Sequence, residues 1–141
     1  MKNNLTKGAI FTAIRTFMQL IDLGIMFLAL MIDDNMATPI ILIISAVAYL
    51  VLAIIPHFFV KNTSFGVNTL ANFLAQVIFS IITALLLMII IMSDTSGAAG
   101  WLMFIWMAIP VLLCPIYFFI NIIVDLIAFL VFKNKKGGVQ Q

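Results

Sequence analysis

Four long apolar stretches divide the chain and limit what it can fold into. They cover residues 9–32, 39–60, 65–92 and 101–132, and each exceeds the ~20 residues that a helix needs to cross bilayer hydrocarbon. Because hydrocarbon offers no water to satisfy peptide groups, segments that cross it have to be helical. With 65% hydrophobic and 9% charged residues, the chain lies far from the composition of soluble domains. The sequence predicts an all-α, polytopic membrane protein.

Little of the chain remains for anything besides these spans. The connectors are short, so consecutive spans are expected to be antiparallel and adjacent, as in an up-down bundle of four transmembrane helices. Residues 1–141 are predicted to form a single membrane domain that ends in a short basic tail at 133–141. The tail is too short for a nucleic-acid interface and lacks interleaved aromatic residues. The lipid bilayer is therefore the first predicted partner.

The basic residues indicate the orientation of the spans. All seven Lys and Arg residues precede or open the first span, separate spans two and three, or follow span four. The other two connectors carry only acidic charge, at Asp33, Asp34 and Asp94. Positive residues resist translocation. We therefore expect an N-in/C-in, multi-pass protein of the plasma (inner) membrane, bacterial in origin, with both termini in the cytoplasm.

Three prolines lie inside the predicted spans. Proline removes one backbone hydrogen bond and clashes with the preceding turn, so kinks are expected at Pro56, Pro110 and Pro115. Span four is about 48 Å long at ~1.5 Å per residue, which is more than a perpendicular crossing needs. Its first part, with Trp101 and Trp106, is predicted to lie partly at the outer membrane interface.

Polar side chains recur at helical spacing within three of the spans. An ionisable group inside a span costs at least ~2.5–3.5 kcal/mol, so each one requires a reason. The spacing puts these residues on one face of each helix. They occupy the cytoplasmic half or the middle of the span and leave the outer half almost purely apolar. This candidate polar cluster consists of Arg15, Gln19, Asp22, Asn68, Asn72, Gln76, Asn121 and Asp125.

Two interpretations of the cluster remain open. In the first, its members hydrogen-bond across helices and fix the bundle, at ~0.6–2 kcal/mol per bond. Arg15 then pairs with Asp22 or with Asp125. In the second, the cluster is a cytoplasm-facing vestibule that binds an ion, a lipid headgroup or part of a partner. A continuous pore through one copy is not expected, because the outer half has no polar lining.

Small residues at four-residue spacing predict where helices pack closely. These are Ala71 and Ala75, followed by Ser80 and Ala84, all in span three. They allow close approach of helices within one chain or between copies.

The sequence has no constellation for catalysis. Its single histidine and single cysteine, His57 and Cys114, are predicted at different depths, so they do not form a nucleophile–base pair. They are also too few for a Cys/His metal centre. We expect no catalytic residues, no metal and no cofactor, and we expect that the protein is not an enzyme.

Two segments are similar to a known family of small helical membrane proteins, the Tic20-like family. The first is IIPHFFVKNTSFGVNTLANF, where a span ends in a basic residue and a helix containing Asn-Phe follows. The second is NIIVDLIAFLVFKNKKGG, where the last span runs from an Asn to basic residues and a Gly. The segments cover about a third of the chain, and the charged, His-containing stretch of the family is shortened here. The resemblance implies a small multi-helix membrane protein.

The leading hypothesis for function is non-catalytic. Without a soluble domain or catalytic residues, the protein is expected to act by helix–helix association with another membrane protein or with itself. Such a protein would be an accessory subunit or a toxin-immunity factor. The alternative is a small transporter or channel subunit, homo-oligomeric in one version, with a cytoplasm-facing polar site. There Asp22 and Asp125 would bind a cation or proton, and nearby amides would supply neutral ligands.

Overall fold

The chain is all-helical in the part that the computed structural model describes, which is residues 2–32, 38–60, 63–93 and 99–137. The helices are α1 (Lys2–Ile32), α2 (Thr38–Leu52), α3 (Ile55–Phe59), α4 (Phe65–Ser93) and α5 (Ala99–Gly137). With α3 counted as the continuation of α2, four helices are long and apolar enough to cross a membrane. The predicted helical class and the predicted number of helices long enough to cross a membrane are confirmed for these residues.

Some predicted features involve residues that the structure does not describe. Others involve side chains of α5 outside residues 111–131, which is the part of that helix whose side chains are described. These are the acidic connector residues Asp33, Asp34 and Asp94, the basic residue Lys61, the side chains of Trp101, Trp106 and Pro110, and those of the basic tail.

The helices alternate in direction. Phe11 of α1 packs on His57 of α3, and Asp22 of α1 bonds to Ser45 of α2, so α1 runs antiparallel to α2 and α3. The chain therefore returns to the end of the bundle where it began. This end, which holds the N-terminus, is called the terminal end below.

The second pair of helices repeats this arrangement. Phe65 at the start of α4 packs on Phe129 of α5, while Ser80 further along α4 contacts Cys114. These contacts make α4 and α5 antiparallel, as predicted for an up-down bundle. Ser64 precedes α4 and caps it, because its hydroxyl accepts a hydrogen bond from the Val67 amide at 3.3 Å.

The order of the helices around the bundle differs from the prediction. Each of α1 and α5 packs against both α2 and α4, whereas α2 and α4 make no extensive contact among the described residues. Spans two and three are therefore diagonal, and the expectation that they are adjacent is wrong. A short connector only requires that two helix ends lie close, and the packing of the helix faces decides which helices become neighbours.

Span two is interrupted just before Pro56. Helix α2 ends at Leu52, and the turn at Ala53–Ile54 leads into the five-residue α3. Pro56 has no N–H to donate to the Leu52 carbonyl, and its ring crowds that carbonyl. By contrast, α5 is assigned as one helix through Pro110 and Pro115, where the kinks stay predictions.

Away from the terminal end the described interior of the bundle is apolar except for Thr83, whose hydroxyl bonds to its own helix. Met26 of α1, Ile41 of α2, Leu87 of α4 and Leu113 of α5 are all buried there. The ring of Phe79 is fully buried and packs edge-on against Tyr117 at 5.4 Å. Polar side chains occupy the interior between this apolar region and the terminal end.

Candidate functional site

The centre of the bundle contains a run of buried polar side chains in three layers. The ion-pair layer, nearest the terminal end, consists of Arg15, His57, Asn68 and Asp125. The amide layer consists of Gln19, Tyr49, Asn72, Gln76 and Asn121. The carboxylate layer consists of Asp22, Ser45 and Tyr117. Every one of these residues is at most 9% exposed.

The ion-pair layer joins the diagonal helices α1 and α5. The Arg15 guanidinium donates a short hydrogen bond to Oδ1 of Asp125, and both side chains are fully buried. A second donor of Arg15 bonds to the Asn68 carbonyl at 3.2 Å. The guanidinium also lies over the Phe11 ring, 4.4 Å from its centroid, which is a favourable cation–π arrangement. The sequence left two partners open for Arg15, and the structure pairs it with Asp125.

His57 of α3, directly after Pro56, completes this layer. Its Nε2 lies 3.0 Å from Oδ1 of Asp125, but the atoms do not meet hydrogen-bond geometry. His57 and Asp125 are therefore in close contact without a hydrogen bond between them. The histidine ring packs edge-on against Phe11 at 5.1 Å. Asp125 thus faces two basic side chains from two different helices.

The amide layer is a hydrogen-bond chain across three helices. The Tyr49 hydroxyl donates to Oδ1 of Asn121 at 3.1 Å, and Nδ2 of Asn121 donates to Oδ1 of Asn72 at 2.8 Å. The same oxygen accepts a longer bond from Nε2 of Gln76 at 3.4 Å. Asn72 itself donates to the Phe118 carbonyl at 3.2 Å. These bonds fix α2, α4 and α5 at one height.

The carboxylate layer surrounds Asp22, which is fully buried. Its Oδ2 accepts hydrogen bonds from the Ser45 hydroxyl at 2.5 Å and from the Tyr117 hydroxyl at 2.6 Å. Tyr117 also stacks on Tyr49 with ring centroids 4.2 Å apart, which joins this layer to the amide layer. Arg15 lies two helical turns away and is bonded to Asp125, so it does not pair with Asp22.

Several buried polar atoms in the three layers have no hydrogen-bond partner. Such atoms are rare in folded proteins, because each costs ~1–3 kcal/mol. The Gln19 amide lies beside the Tyr49 hydroxyl, yet neither of its polar atoms meets bonding geometry. The unpartnered atoms are Nε of Arg15, Nε2 and Oε1 of Gln19, Oδ1 of Asp22, Nε2 of His57, Oδ1 of Asn68, Oε1 of Gln76 and Oδ2 of Asp125.

All eight residues of the predicted polar cluster lie in these layers. Four further members, Ser45, Tyr49, His57 and Tyr117, are not part of the predicted cluster. Ser45 and Tyr49 are four residues apart in an otherwise apolar helix, which is the same spacing that marked the other spans. The spacing therefore carried a signal for Ser45 and Tyr49.

The predicted packing residues of span three fall into two groups. Ala71 and Ala75 are buried and pack within the bundle, and Ala71 also borders a groove on the outside of the bundle. Ser80 and Ala84 are exposed, although the Ser80 hydroxyl bonds to the Gln76 carbonyl and lies 3.4 Å from the Cys114 sulfur.

An apolar groove of about 530 Å³ runs along the outside of the bundle between α1 and α4. It lies near the terminal end and combines small residues, which leave the backbone uncovered, with exposed leucines. A Cβ added at Gly8 would lie 3.3 Å from Val67, so the two helices approach closely there. Its small residues are Gly8, Ala9 and Ala71, and its leucines are Leu5, Leu70 and Leu74.

The described side chains offer no group of three metal-ligating residues. His57 lies in the ion-pair layer, whereas Cys114 contacts Ser80 in the other half of the bundle. These two therefore do not form a nucleophile–base pair. The chemistry that the arrangement supports is the binding and orientation of charge.

Comparisons with known protein families, with curated proteins and with solved structures return no match. The resemblance to the Tic20-like family therefore stays a prediction.

Proposed function

We propose that this chain is a multi-pass protein of the bacterial plasma (inner) membrane with both termini in the cytoplasm. Four apolar helices support this proposal, together with the restriction of Lys and Arg to one set of connectors and ends. Helix α5 has 39 residues, or about 58 Å at ~1.5 Å each. Since hydrocarbon is ~30 Å thick, the helix would extend beyond it.

Within that membrane, the proposed function is non-catalytic association with another membrane protein, as an accessory subunit or a toxin-immunity factor. The observation that carries this proposal is the groove between α1 and α4. Small residues on two parallel helices let a third helix approach the backbone closely, and such packing drives association in lipid. The exposed leucines beside the groove would supply the contacts of a helix that enters it.

The polar layers support association in an indirect way. They lie inside the bundle and bond mainly to one another, so the outer surface offers a partner almost only apolar groups. Recognition then depends on shape, and the groove between α1 and α4 offers such a shape. The exposed pair Ser80 and Ala84 gives α4 a second small-residue surface.

Site-specific photo-crosslinking would test this proposal in cells that produce the protein at native level. A photoreactive residue replaces Leu70 in the groove, and in the matched control it replaces Ile43 of α2. These side chains are 60% and 63% exposed, and α2 is diagonal to α4. We expect a discrete adduct with a protein at position 70 and none at position 43. Two differently tagged copies would distinguish self-association from another partner.

Adducts with lipid alone at position 70 would contradict association through the groove. So would the same protein adducts at both positions, because these would reflect random collision in the membrane.

A second candidate function is a small transporter or channel subunit. It is favoured by one specific observation, the buried polar atoms that have no partner in the three layers. If this candidate is right, Asp22→Asn should abolish flux in reconstituted vesicles while the bundle stays folded. If flux survives and only the melting temperature changes, the polar layers are structural.

A further inference from the structure

The two buried carboxylates in the described part of the chain differ in their surroundings. Asp125 is bonded to Arg15 and lies beside His57, so the guanidinium of another helix compensates its charge. Asp22 receives only the hydroxyls of Ser45 and Tyr117. Two hydroxyl donors stabilise a carboxylate but bring no positive charge. One oxygen, Oδ1 of Asp22, has no partner.

A fully buried carboxylate without a positive partner is costly. The effective penalty for burying an ion in a protein is several kcal/mol, even after relaxation. In a membrane, ionisable residues of this kind pair with one another or mark the path of an ion or proton. Arg15 is already bonded to Asp125 and to the Asn68 carbonyl. A charged Asp22 therefore requires a positive species, and no described side chain supplies one.

The neighbouring unpartnered atoms are independent evidence for a bound species. Gln19 lies one helical turn before Asp22 on the same face of α1, is fully buried, and has no partner for its carbonyl oxygen. Gln76 lies one turn beyond Asn72, at the height of Tyr117. Its side-chain amide oxygen, Oε1, is also unpartnered. Both oxygens are acceptors, as is Oδ1 of Asp22. These residues thus offer three unpartnered oxygen atoms, whereas Nε2 of Gln19 is the one unpartnered donor among them.

We propose that the carboxylate layer, with the amide oxygens of Gln19 and Gln76, is a binding site for one small monovalent cation, either an alkali ion or a proton. Carboxylate, hydroxyl and amide oxygens are hard ligands that suit hard cations. A single carboxylate is neutralised by a single positive charge. A divalent ion would leave excess positive charge in the interior, since Asp125 is already paired with Arg15. This inference concerns binding and requires neither flux nor a partner protein.

The ionisable groups near Asp22 decide which controls are needed. Helix α4 contributes none, because its sequence contains no ionisable side chain. Helix α1, which carries Asp22, also contributes Arg15. The remaining groups are Tyr49 of α2, His57 of α3, and Tyr117 and Asp125 of α5. A cation effect assigned to Asp22 must therefore disappear in a variant that changes Asp22 alone.

Thermal unfolding of the purified full-length protein in detergent would test the site. The melting temperature Tm is measured in sodium, potassium or N-methylglucamine chloride at constant ionic strength, and separately from about pH 8 to about pH 6 without alkali ions. A ligand that binds only the folded state raises Tm with its concentration. If the ion binds well below ~100 mM, we expect a rise of roughly 3–8 °C in the wild type.

Two variants and one control show whether the cation effect on Tm depends on Asp22 and Gln19. In Asp22→Asn, the side-chain amide oxygen can still accept hydrogen bonds from Ser45 and Tyr117, but the negative charge is absent. The Tm should therefore no longer depend on the cation. Thr83→Val is the control. Thr83 is buried and bonds only to carbonyls of its own helix, so its variant should keep the full dependence. Gln19→Leu should raise the cation concentration needed for half the effect by about tenfold, the equivalent of one lost polar contact.

Each outcome supports or overturns the proposal. A rise of Tm with sodium or potassium that is absent in Asp22→Asn identifies an alkali ion. A rise of Tm at lower pH, smaller in Asp22→Asn and without any alkali effect, identifies a proton. A wild-type Tm that depends on neither overturns the site, and so does equal dependence in the wild type and Asp22→Asn. If Asp22→Asn does not fold, an unchanged half-effect concentration in Gln19→Leu overturns it.

Discussion

Breaking the ion pair between Arg15 and Asp125 should destabilise the bundle much more than replacing both of its members together. Both side chains are fully buried and lie on diagonal helices. Removal of one partner leaves an uncompensated buried charge, which typically costs ~3–5 kcal/mol, whereas replacing the whole pair with apolar residues is often neutral or stabilising. The comparison therefore separates the cost of an orphaned charge from the loss of packing.

The structure predicts different costs for the two single variants. After Asp125→Leu, the guanidinium keeps the Asn68 carbonyl at 3.2 Å and the Phe11 ring at 4.4 Å but has no carboxylate, so we expect a loss of ~3–4 kcal/mol. After Arg15→Met, the carboxylate still faces His57 at 3.0 Å, and we expect ~2–3 kcal/mol. The double variant should lose only ~0–1 kcal/mol, since no charge is orphaned. The coupling free energy is then ~4–7 kcal/mol, the difference between the summed single losses and the loss of the double variant.

Reversible unfolding in mixed micelles at increasing fractions of a denaturing detergent would measure these free energies of unfolding. Thr16→Val is the control, because Thr16 directly follows Arg15 in α1, is buried, and donates its hydroxyl hydrogen bond to a carbonyl of its own helix. It should change stability by less than ~1 kcal/mol and add independently to Asp125→Leu. If the double variant loses as much as the two single variants combined, the ion pair does not join α1 to α5.

Further predictions concern packing and the hydrogen bonds between layers. Ala75→Leu should lower the free energy of unfolding by ~1–3 kcal/mol through overpacking, because Ala75 is fully buried. Ala84→Leu at an exposed position should change the free energy of unfolding by less than ~0.5 kcal/mol. Equal effects of the two variants in the same unfolding assay would refute this packing. Tyr117→Phe removes a donor to a carboxylate and should cost ~1.5–3 kcal/mol, whereas Tyr49→Phe removes a donor to an amide and should cost ~0.5–1.5 kcal/mol. The reverse order would contradict the assignment of the bonds to Asp22 and Asn121.

The architecture was largely predictable because a membrane restricts the choices. Apolar segments of at least 20 residues leave only helices, and short connectors fix alternating directions. The ring order was not predictable from these arguments, since it depends on which polar faces meet. Arg15 could reach either Asp22 or Asp125 by spacing alone. The meeting of α1 and α5 across the centre selects Asp125 and makes α2 and α4 diagonal.

The sequence predicted most residues of the polar site, but it predicted less well which of these residues contact one another. Spacing of four residues identified Asn72, Gln76 and Asn121, because side chains four apart share a helix face. It could not identify His57, whose position depends on the interruption before Pro56. Proline signals a disturbed helix, but the direction in which the following turn points depends on tertiary packing.

Cysteine accessibility from outside intact cells most directly tests whether this bundle crosses a membrane with both termini in the cytoplasm. Single cysteines replace Asp94 and Gln141 in a Cys114→Ala background, and a membrane-impermeant thiol reagent is added to the medium. The distribution of Lys and Arg predicts labelling at position 94 and protection at position 141 until the cells are opened. Labelling of position 141 in intact cells, with position 94 protected, would contradict the proposed orientation.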